Sequence, residues 1–233
     1  MSPGSVVIVG VGGLGAPAAA ALAAVRGIRL TLIDADVVES SNLPRQPLYG
    51  TGDVGSRKVE AAARRLRARH PGLEVATHDE RLDEASAKRL LAGHDVIVDG
   101  TDNLTSKVLL NATALALGTP LVHAGALGLD GQLMTILPGR SACLRCLFPE
   151  LPSDDDMPTC QQAGVLGPVV GAVGLMAAAE AARIASGERP ALANRLAILD
   201  GTRLRWRTLE LRPNPRCPAC DAALGQPASP TPA

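Results

Sequence analysis

Short apolar segments rich in β-branched residues alternate with longer amphipathic or alanine-rich segments through the first half of the chain. The pattern predicts strands at residues 5–9, 29–33, 74–77, 95–99 and 121–123, and helices at residues 16–26, 54–70, 84–92 and 103–117. Continuous apolar runs are typical of strands that are buried on both faces of a parallel sheet. The alternation of strands and helices therefore indicates a Rossmann-like, doubly wound α/β fold.

The second half of the chain has a different pattern. Strands are predicted at residues 132–137, 195–199 and 202–211, with short connections, so we expect antiparallel strands that extend a largely parallel sheet. A glycine-containing helix is predicted at residues 164–186, and its small residues suit close packing against another backbone. We expect one domain over residues 1–221, with a nucleotide-binding half (1–125) and a second half (126–221), and a disordered tail at 222–233.

Charge and composition narrow the choice of partners. The 233 residues carry 23 basic and 23 acidic side chains, with one Phe, one Tyr and one Trp, so nucleic acid is not expected as a partner. The sequence pattern contains no apolar stretch of about 20 residues and no cleavable leader. We therefore expect a cytoplasmic protein with no membrane partner.

A glycine-rich turn follows the first predicted strand. Its glycines are Gly10, Gly12, Gly13 and Gly15, and they lead into a helix. Such a turn brings backbone N–H groups and the positive end of a helix to a phosphate. Asp34 ends the second strand, where it can accept hydrogen bonds from ribose hydroxyls. This pattern predicts a nucleotide site, and both NAD and ATP satisfy it.

Polar residues follow in the long loop 36–55 and beyond it. Arg45 and Lys58 supply cations for a polyphosphate, and Asp102 supplies an oxygen ligand for Mg²⁺. Asn42 and Gln46 supply neutral hydrogen bonds. The set favours a triphosphate over a dinucleotide. Each residue also fits a structural role: Asp102 and Asn42 as helix caps, Lys58 and Arg45 as surface charges.

The five cysteines divide into two Cys-x-x-Cys pairs and one single residue. Cys143, Cys146, Cys217 and Cys220 can form a tetrahedral structural zinc site, and the alternative is two pairs of buried or oxidised thiols. Cys160 follows a polar, proline-containing stretch, which favours an exposed thiol that is either reactive or inert. The four histidines show no ligand or triad spacing, and we expect them to be surface or packing residues without a role in the chemistry.

Together these motifs resemble the adenylyltransferases that activate ubiquitin-like sulfur carriers, the bacterial relatives of ubiquitin-activating enzymes. The resemblance runs from Val6 to about Cys220. It is carried by residues 10–15, 34–36, 41–46, 58–60, 101–103, 131–132 and 160–165 and by the two cysteine pairs. Within the family, the thiamine-pathway type is most similar, and the molybdopterin-pathway type is next.

The resemblance implies an activity and a set of roles. ATP and Mg²⁺ would activate the C-terminal glycine carboxylate of a carrier ending in Gly-Gly as an acyl-adenylate, before sulfur is installed. Arg45, Lys58 and Asp102 would be catalytic, and Cys160 would correspond to a family cysteine that bonds the carrier in some members. The residues implied to bind the nucleotide are the four glycines, Asp34, Asp36, Ser41, Asn42, Arg45, Gln46, Lys58, Asp102 and Asn103.

The resemblance also implies partners, and the sequence differs from the family at one point. We expect a homodimer, and a sulfurtransferase or cysteine desulfurase as sulfur donor. Family members carry a helical arm that gives an arginine to the neighbouring subunit, whereas only residues 1–4 precede the first strand here. An incomplete start, a substituting partner or impaired activation would each account for this. The alternative functions are an impaired, zinc-stabilised carrier-binding module and an NAD-dependent oxidoreductase.

Overall fold

An eight-stranded mixed sheet is the centre of the computed structural model, which describes residues 4–150 and 164–220. The strands are β1 Gly4–Val9, β2 Ile28–Ile33, β3 Val75–His78, β4 Val96–Asp99, β5 Leu121–Leu127, β6 Asp130–Ile136, β7 Arg195–Asp200 and β8 Arg205–Glu210. Their order is β3-β2-β1-β4-β5-β6-β7-β8. The first five are parallel, and β6, β7 and β8 each pair antiparallel with the preceding strand. The predicted parallel sheet with antiparallel additions is confirmed.

Six α-helices occur in the described ranges. They are α1 Gly15–Ala23, α2 Lys58–Arg69, α3 Glu84–Leu91, α4 Leu104–Leu117, α5 Leu144–Leu147 and α6 Gly167–Ala185. Helix α1 ends three residues earlier than predicted, and α5 was not predicted because four residues are too short to show a helical period. The predicted long loop contains two 3₁₀ helices, Ser40–Arg45 and Thr51–Asp53. The predicted tail at 222–233 lies outside the described residues.

The sheet is covered on both faces. Val6 and Ile8 of β1 pack with α1, α2 and α6 on one face, whereas Val7 and Val9 pack with α3, α4 and α5 on the other. Because every second side chain enters a different apolar layer, the strand needs apolar residues at consecutive positions. This explains the unbroken apolar runs in the sequence.

Helix α6 packs closely against its own chain. A β-carbon on Gly174 would collide with the Leu14 carbonyl of the α1 region, and one on Gly167 would lie 2.9 Å from the Pro44 carbonyl. Two of the small residues therefore serve contacts within the subunit. Helix α6 also has the length and apolar composition of a membrane span. The sequence pattern had predicted no such stretch. One face of the helix is buried against the sheet and α1.

Glu180 connects α6 to the antiparallel half of the sheet. Its buried carboxylate accepts hydrogen bonds from the Thr135 hydroxyl at 2.7 Å and from the backbone N–H groups of Ala191 and Leu192, both at 2.9 Å. Buried donors that lose their acceptor raise the free energy of the folded state. The carboxylate therefore fixes the approach to β7.

We predict that Glu180→Ala lowers the free energy of unfolding by about 3 kcal/mol, because three donors lose their acceptor. Chemical denaturation measures the change. Glu188→Ala is the control, since the exposed Glu188 carboxylate pairs with Arg183 at 3.9 Å, and we expect a change below about 0.5 kcal/mol. Equal unfolding midpoints for the two variants would contradict the assignment.

Candidate functional site

A cleft of about 470 Å³ opens at the carboxyl ends of β1, β2 and β4. The strand order reverses direction between β1 and β4, and ligands of open α/β sheets bind at such a point. The sequence-predicted residues that line the cleft are Gly10, Gly12, Gly13, Asp34, Asp36, Asn42, Arg45, Gln46, Lys58, Asp102 and Asn103. Gly15 and Ser41 do not line it.

The glycine turn is held by close backbone contacts. Gly10 has a φ of +85°, and a β-carbon there would lie 2.8 Å from the Gly100 carbonyl. A β-carbon on Gly15 would collide with the Gly10 carbonyl, so Gly15 serves the packing of α1 rather than the cleft wall. At Gly12 the nearest atom to an added β-carbon is the Gln46 amide nitrogen at 3.5 Å. Gly12 therefore leaves its backbone accessible from the cleft.

Two side chains clamp Val11 in the middle of this turn. The Asp34 carboxylate accepts from the Val11 N–H at 2.7 Å, and the Tyr49 hydroxyl donates to the Val11 carbonyl at 2.7 Å. Burial raises the pKa of Asp34 despite the opposing effect of Lys58, and burial also raises the pKa of Tyr49. The turn is thus fixed through both of its central backbone groups before any ligand binds.

Both predicted cations lie in the cleft with defined partners. Lys58 Nζ lies 2.8 Å from Asp36 Oδ2, and the lysine side chain is only 8% exposed. Arg45 donates to the Ser41 carbonyl at 3.1 Å. Ser41 therefore orients Arg45 from outside the cleft, while its hydroxyl donates to Glu39. Lys58 is not the solvated surface charge that the alternative interpretation proposed.

The side-chain oxygen of Gln46 is a hydrogen-bond acceptor that receives no donor from the described residues. The side chain is 3% exposed, and its Oε1 atom is buried with no hydrogen-bond partner among the described residues. An unpaired buried acceptor is costly, so a bound molecule that donates a hydrogen bond would stabilise this position.

Asp102 lies exposed at the rim of the cleft, three residues after the end of β4. The cap of α4 is Asn103, whose Oδ1 accepts from the Ser106 N–H at 2.8 Å. The Asp102 carboxylate is therefore not used as a helix cap. Carboxylate oxygens are typical ligands of Mg²⁺.

Part of the cleft wall was not predicted from the sequence. This part includes Glu39, Glu80, Arg81, Leu82, Ser106, Val165 and Val170. Residues 80–82 follow β3, and the rule that loops after parallel strands meet at one edge could have identified them. The expectation for the histidines was incomplete at His123, which is buried and lies 2.8 Å from Asp99.

The two cysteine pairs lie together in the apolar layer that contains Val7 and Val9, away from the cleft. All four Sγ atoms lie within 4.8 Å of one another, and Cys143–Cys217 and Cys146–Cys220 are each 3.6 Å apart. The Asn214 N–H points to the Cys146 sulfur at 3.3 Å. Four thiols in this arrangement could hold a metal ion. Cys160 lies outside the described residues.

Comparison with known proteins adds independent information. The ThiF family model matches residues 2–219. The SAMP-activating enzyme E1 of Haloferax volcanii is 42% identical over 215 residues, which cover 92% of this chain and 79% of that protein. The sulfur carrier protein adenylyltransferase of Thermus thermophilus is 40% identical over 221 residues, covering 93% and 82%.

Among solved structures, Escherichia coli MccB with ATP superposes with a TM-score of 0.81 at 23% identity, covering 94% of this chain and 67% of MccB. That likeness shows a shared fold. Since the family model spans nearly the whole sequence and the relatives are at least 40% identical over most of their length, the resemblance in the motifs is confirmed, and the chain belongs to the ThiF family.

Proposed function

We propose that the protein uses ATP to adenylylate the C-terminal glycine carboxylate of a small ubiquitin-like sulfur-carrier protein and releases pyrophosphate. The observation that carries the proposal is one cleft that contains a preformed glycine turn, two cations and the Asp102 carboxylate, which does not cap a helix. The names of the Thermus thermophilus and Escherichia coli relatives, both sulfur carrier protein adenylyltransferases, support it.

ATP would bind along the parallel strand ends. Asp34 accepts from ribose hydroxyls with the lone pairs that its backbone donors leave free. Gly12 and Gly13 present the backbone to the phosphates, and the fixed Val11 keeps that surface in place. The unpaired Oε1 of Gln46 accepts a hydrogen bond from the nucleotide.

The chemistry is a displacement at phosphorus. A carboxylate oxygen of the carrier attacks the α-phosphorus of ATP, the bond to the bridging oxygen breaks, and its electrons leave with pyrophosphate. Arg45 and Lys58 stabilise the negative charge that develops, and Lys58 is held ready by Asp36. Asp102 would hold Mg²⁺, which would neutralise charge on the phosphates, and Asn103 would complete the pocket. The product is an acyl-adenylate. Sulfur from a sulfurtransferase or cysteine desulfurase would then displace AMP from it and form the thiocarboxylate.

The cysteine cluster would hold a structural zinc ion. Zn–S bonds of about 2.3 Å in a tetrahedron place sulfur atoms roughly 3.8 Å apart, close to the 3.6 Å separations in the structure. Because all four ligands come from the protein, no position remains for substrate. The site would join α5 to the segment after β8.

A homodimer fits the outer face of α6. Leu175 and Met176 are 53% and 44% exposed, and an added β-carbon on Gly171 would meet nothing within 4 Å. Exposed apolar side chains beside a glycine allow a close helix contact between two copies.

The first prediction for this function concerns Asp102. Asp102→Ala should lower carrier-dependent exchange of labelled pyrophosphate into ATP by at least about 100-fold. The variant lacks the carboxylate that would hold Mg²⁺ at the phosphates. The assay uses a panel of small carriers ending in Gly-Gly. Asp130→Ala is the control, since Asp130 is exposed on β6 and does not line the cleft.

Exchange that requires both a carrier and Asp102 supports the adenylyltransferase. Binding of a carrier without exchange, also after an upstream arm is added, favours the binding module. Retention of NAD by the purified protein would favour the oxidoreductase.

We predict one zinc ion per chain by elemental analysis of the purified protein. Cys217→Ser should lose the metal and unfold at a lower temperature, since metal binding and folding are coupled. Cys160→Ser serves as the matched control and should retain the metal. A metal-free wild-type protein, or equal metal content in both variants, contradicts the zinc site.

We predict that light scattering gives twice the chain mass of 23.9 kDa. Leu175→Arg should shift the mass to that of a monomer, because a buried charge is costly at an apolar contact. Leu204→Arg, at a position 84% exposed between β7 and β8, should leave the mass unchanged. A wild-type monomer excludes the dimer.

A further inference from the structure

A buried cluster of ionisable side chains lies behind the turn that carries Asp102, and the proposed chemistry does not use it. Asp99 ends β4 and is fully buried, and His123, its register partner on β5, is 2% exposed. Lys107 reaches the same point from the first turns of α4.

The Asp99 carboxylate joins three elements through its two oxygens. Oδ2 receives Lys107 Nζ at 3.0 Å and lies 2.8 Å from His123 Nδ1. Oδ1 accepts from the Thr101 N–H at 3.0 Å and from the Thr101 hydroxyl at 2.7 Å. One oxygen thus faces the fixed scaffold of β5 and α4, and the other holds the turn.

The charges in this cluster balance without solvent. Burial opposes ionisation of Asp99, but Lys107, His123 and Thr101 hold its pKa well below the ordinary value. Burial also lowers the pKa of His123, and its Nε2 atom has no hydrogen-bond partner among the described residues. Because an ionised carboxylate can only accept, His123 donates its Nδ1–H to Asp99.

Asp102 lies between two anchored neighbours. Thr101 is held by Asp99, and Asn103 is held as the cap of α4. The preceding residue, Gly100, donates to the Val9 carbonyl and lies so close to Gly10 that a β-carbon would be 2.5 Å from the Gly10 carbonyl. The exposed Asp102 side chain thus projects from a turn whose position depends on the orientation of the Asp99 carboxylate.

We propose that His123 is a positioning residue: its Nδ1–H bond orients the Asp99 carboxylate, which holds Thr101 and so places Asp102 in the cleft. The catalytic consequence rests on the proposed function, whereas the placement of the turn does not. Lys107 is a poorer probe of this link, because its Nζ also donates to the Ala124 carbonyl at 2.6 Å and ties α4 to β5.

The test compares His123→Leu with His123→Asn. Leucine removes the donor at similar volume, while asparagine can present an amide N–H near the position of Nδ1. His94→Leu is the control, because His94 is a half-buried histidine that bonds to Thr31 at 3.0 Å and does not line the cleft.

Amide hydrogen exchange of the ligand-free protein, followed by NMR, gives the first readout. In His123→Leu the Thr101 amide should exchange at least about tenfold faster. The Gly100 amide, which bonds to Val9 instead of Asp99, should keep its rate. His123→Asn should restore the rate at Thr101, and His94→Leu should leave it unchanged.

Carrier-dependent pyrophosphate exchange gives the second readout. His123→Leu should lower kcat by about 10- to 100-fold while the KM for ATP changes less than about threefold, because the direct contacts of the protein with ATP remain and only Asp102 is displaced. His123→Asn should stay within about threefold of the wild type. Unequal kcat and KM effects with rescue by asparagine distinguish positioning from a general loss of stability.

An unchanged Thr101 amide in His123→Leu overturns the proposal, and so does faster exchange along all of β4 that asparagine fails to restore. A normal kcat in a His123→Leu variant with a mobile Thr101 overturns the catalytic part. If the wild type shows no pyrophosphate exchange with any carrier, the proposed function fails, and the amide rates alone decide whether His123 places the turn.

Discussion

The cleft depends on a backbone contact between Gly10 and Gly100 at the point where β1 and β4 lead away to opposite sides of the sheet. Side chains at either position would separate the two turns, since a β-carbon on Gly100 would meet the Gly10 carbonyl and the Gly15 backbone. This approach brings the glycine turn after β1 and the acidic turn after β4 to the same edge. The polar groups of these two turns are placed relative to that contact.

Several polar side chains around this contact have hydrogen-bond partners within the protein. Asp34 and Tyr49 hold Val11, Asp36 holds Lys58, and the Ser41 carbonyl holds Arg45. A site organised in this way needs little rearrangement when charge develops on a bound phosphate. Asp102 and the Gln46 carbonyl differ, because no partner within the described residues orients their oxygen atoms.

The sequence predicts those features that depend on local pattern. The strand and helix order followed from apolar runs in β1 and β4 and from the amphipathic α2, and the convergence of the cysteines followed from their paired spacing. Helix α5 was not predicted because four residues are too few to show a helical period. The placement of Ser41 outside the cleft depends on the 3₁₀ geometry of its segment, which proline and serine do not specify alone.

Contacts between neighbouring strands were harder to predict, as Asp99 and His123 illustrate. They become neighbours only through the register of β4 against β5, and a shift of one residue would send His123 to the opposite face. No spacing rule marks such a pair, since the residues are 24 positions apart and the histidine sits in an apolar strand. The same holds for Glu180, whose partners come from β6 and the segment before β7.

The cysteine cluster also affects the connectivity of the chain. Cys143 and Cys217 are 74 residues apart, and the chain between them contains α6, β7 and β8. A bond between these ends through a metal ion would convert that stretch into a closed loop, which has fewer conformations when unfolded than an open chain. Strands β7 and β8 could then not separate from the sheet as a free chain end. Release of the metal would have to come first.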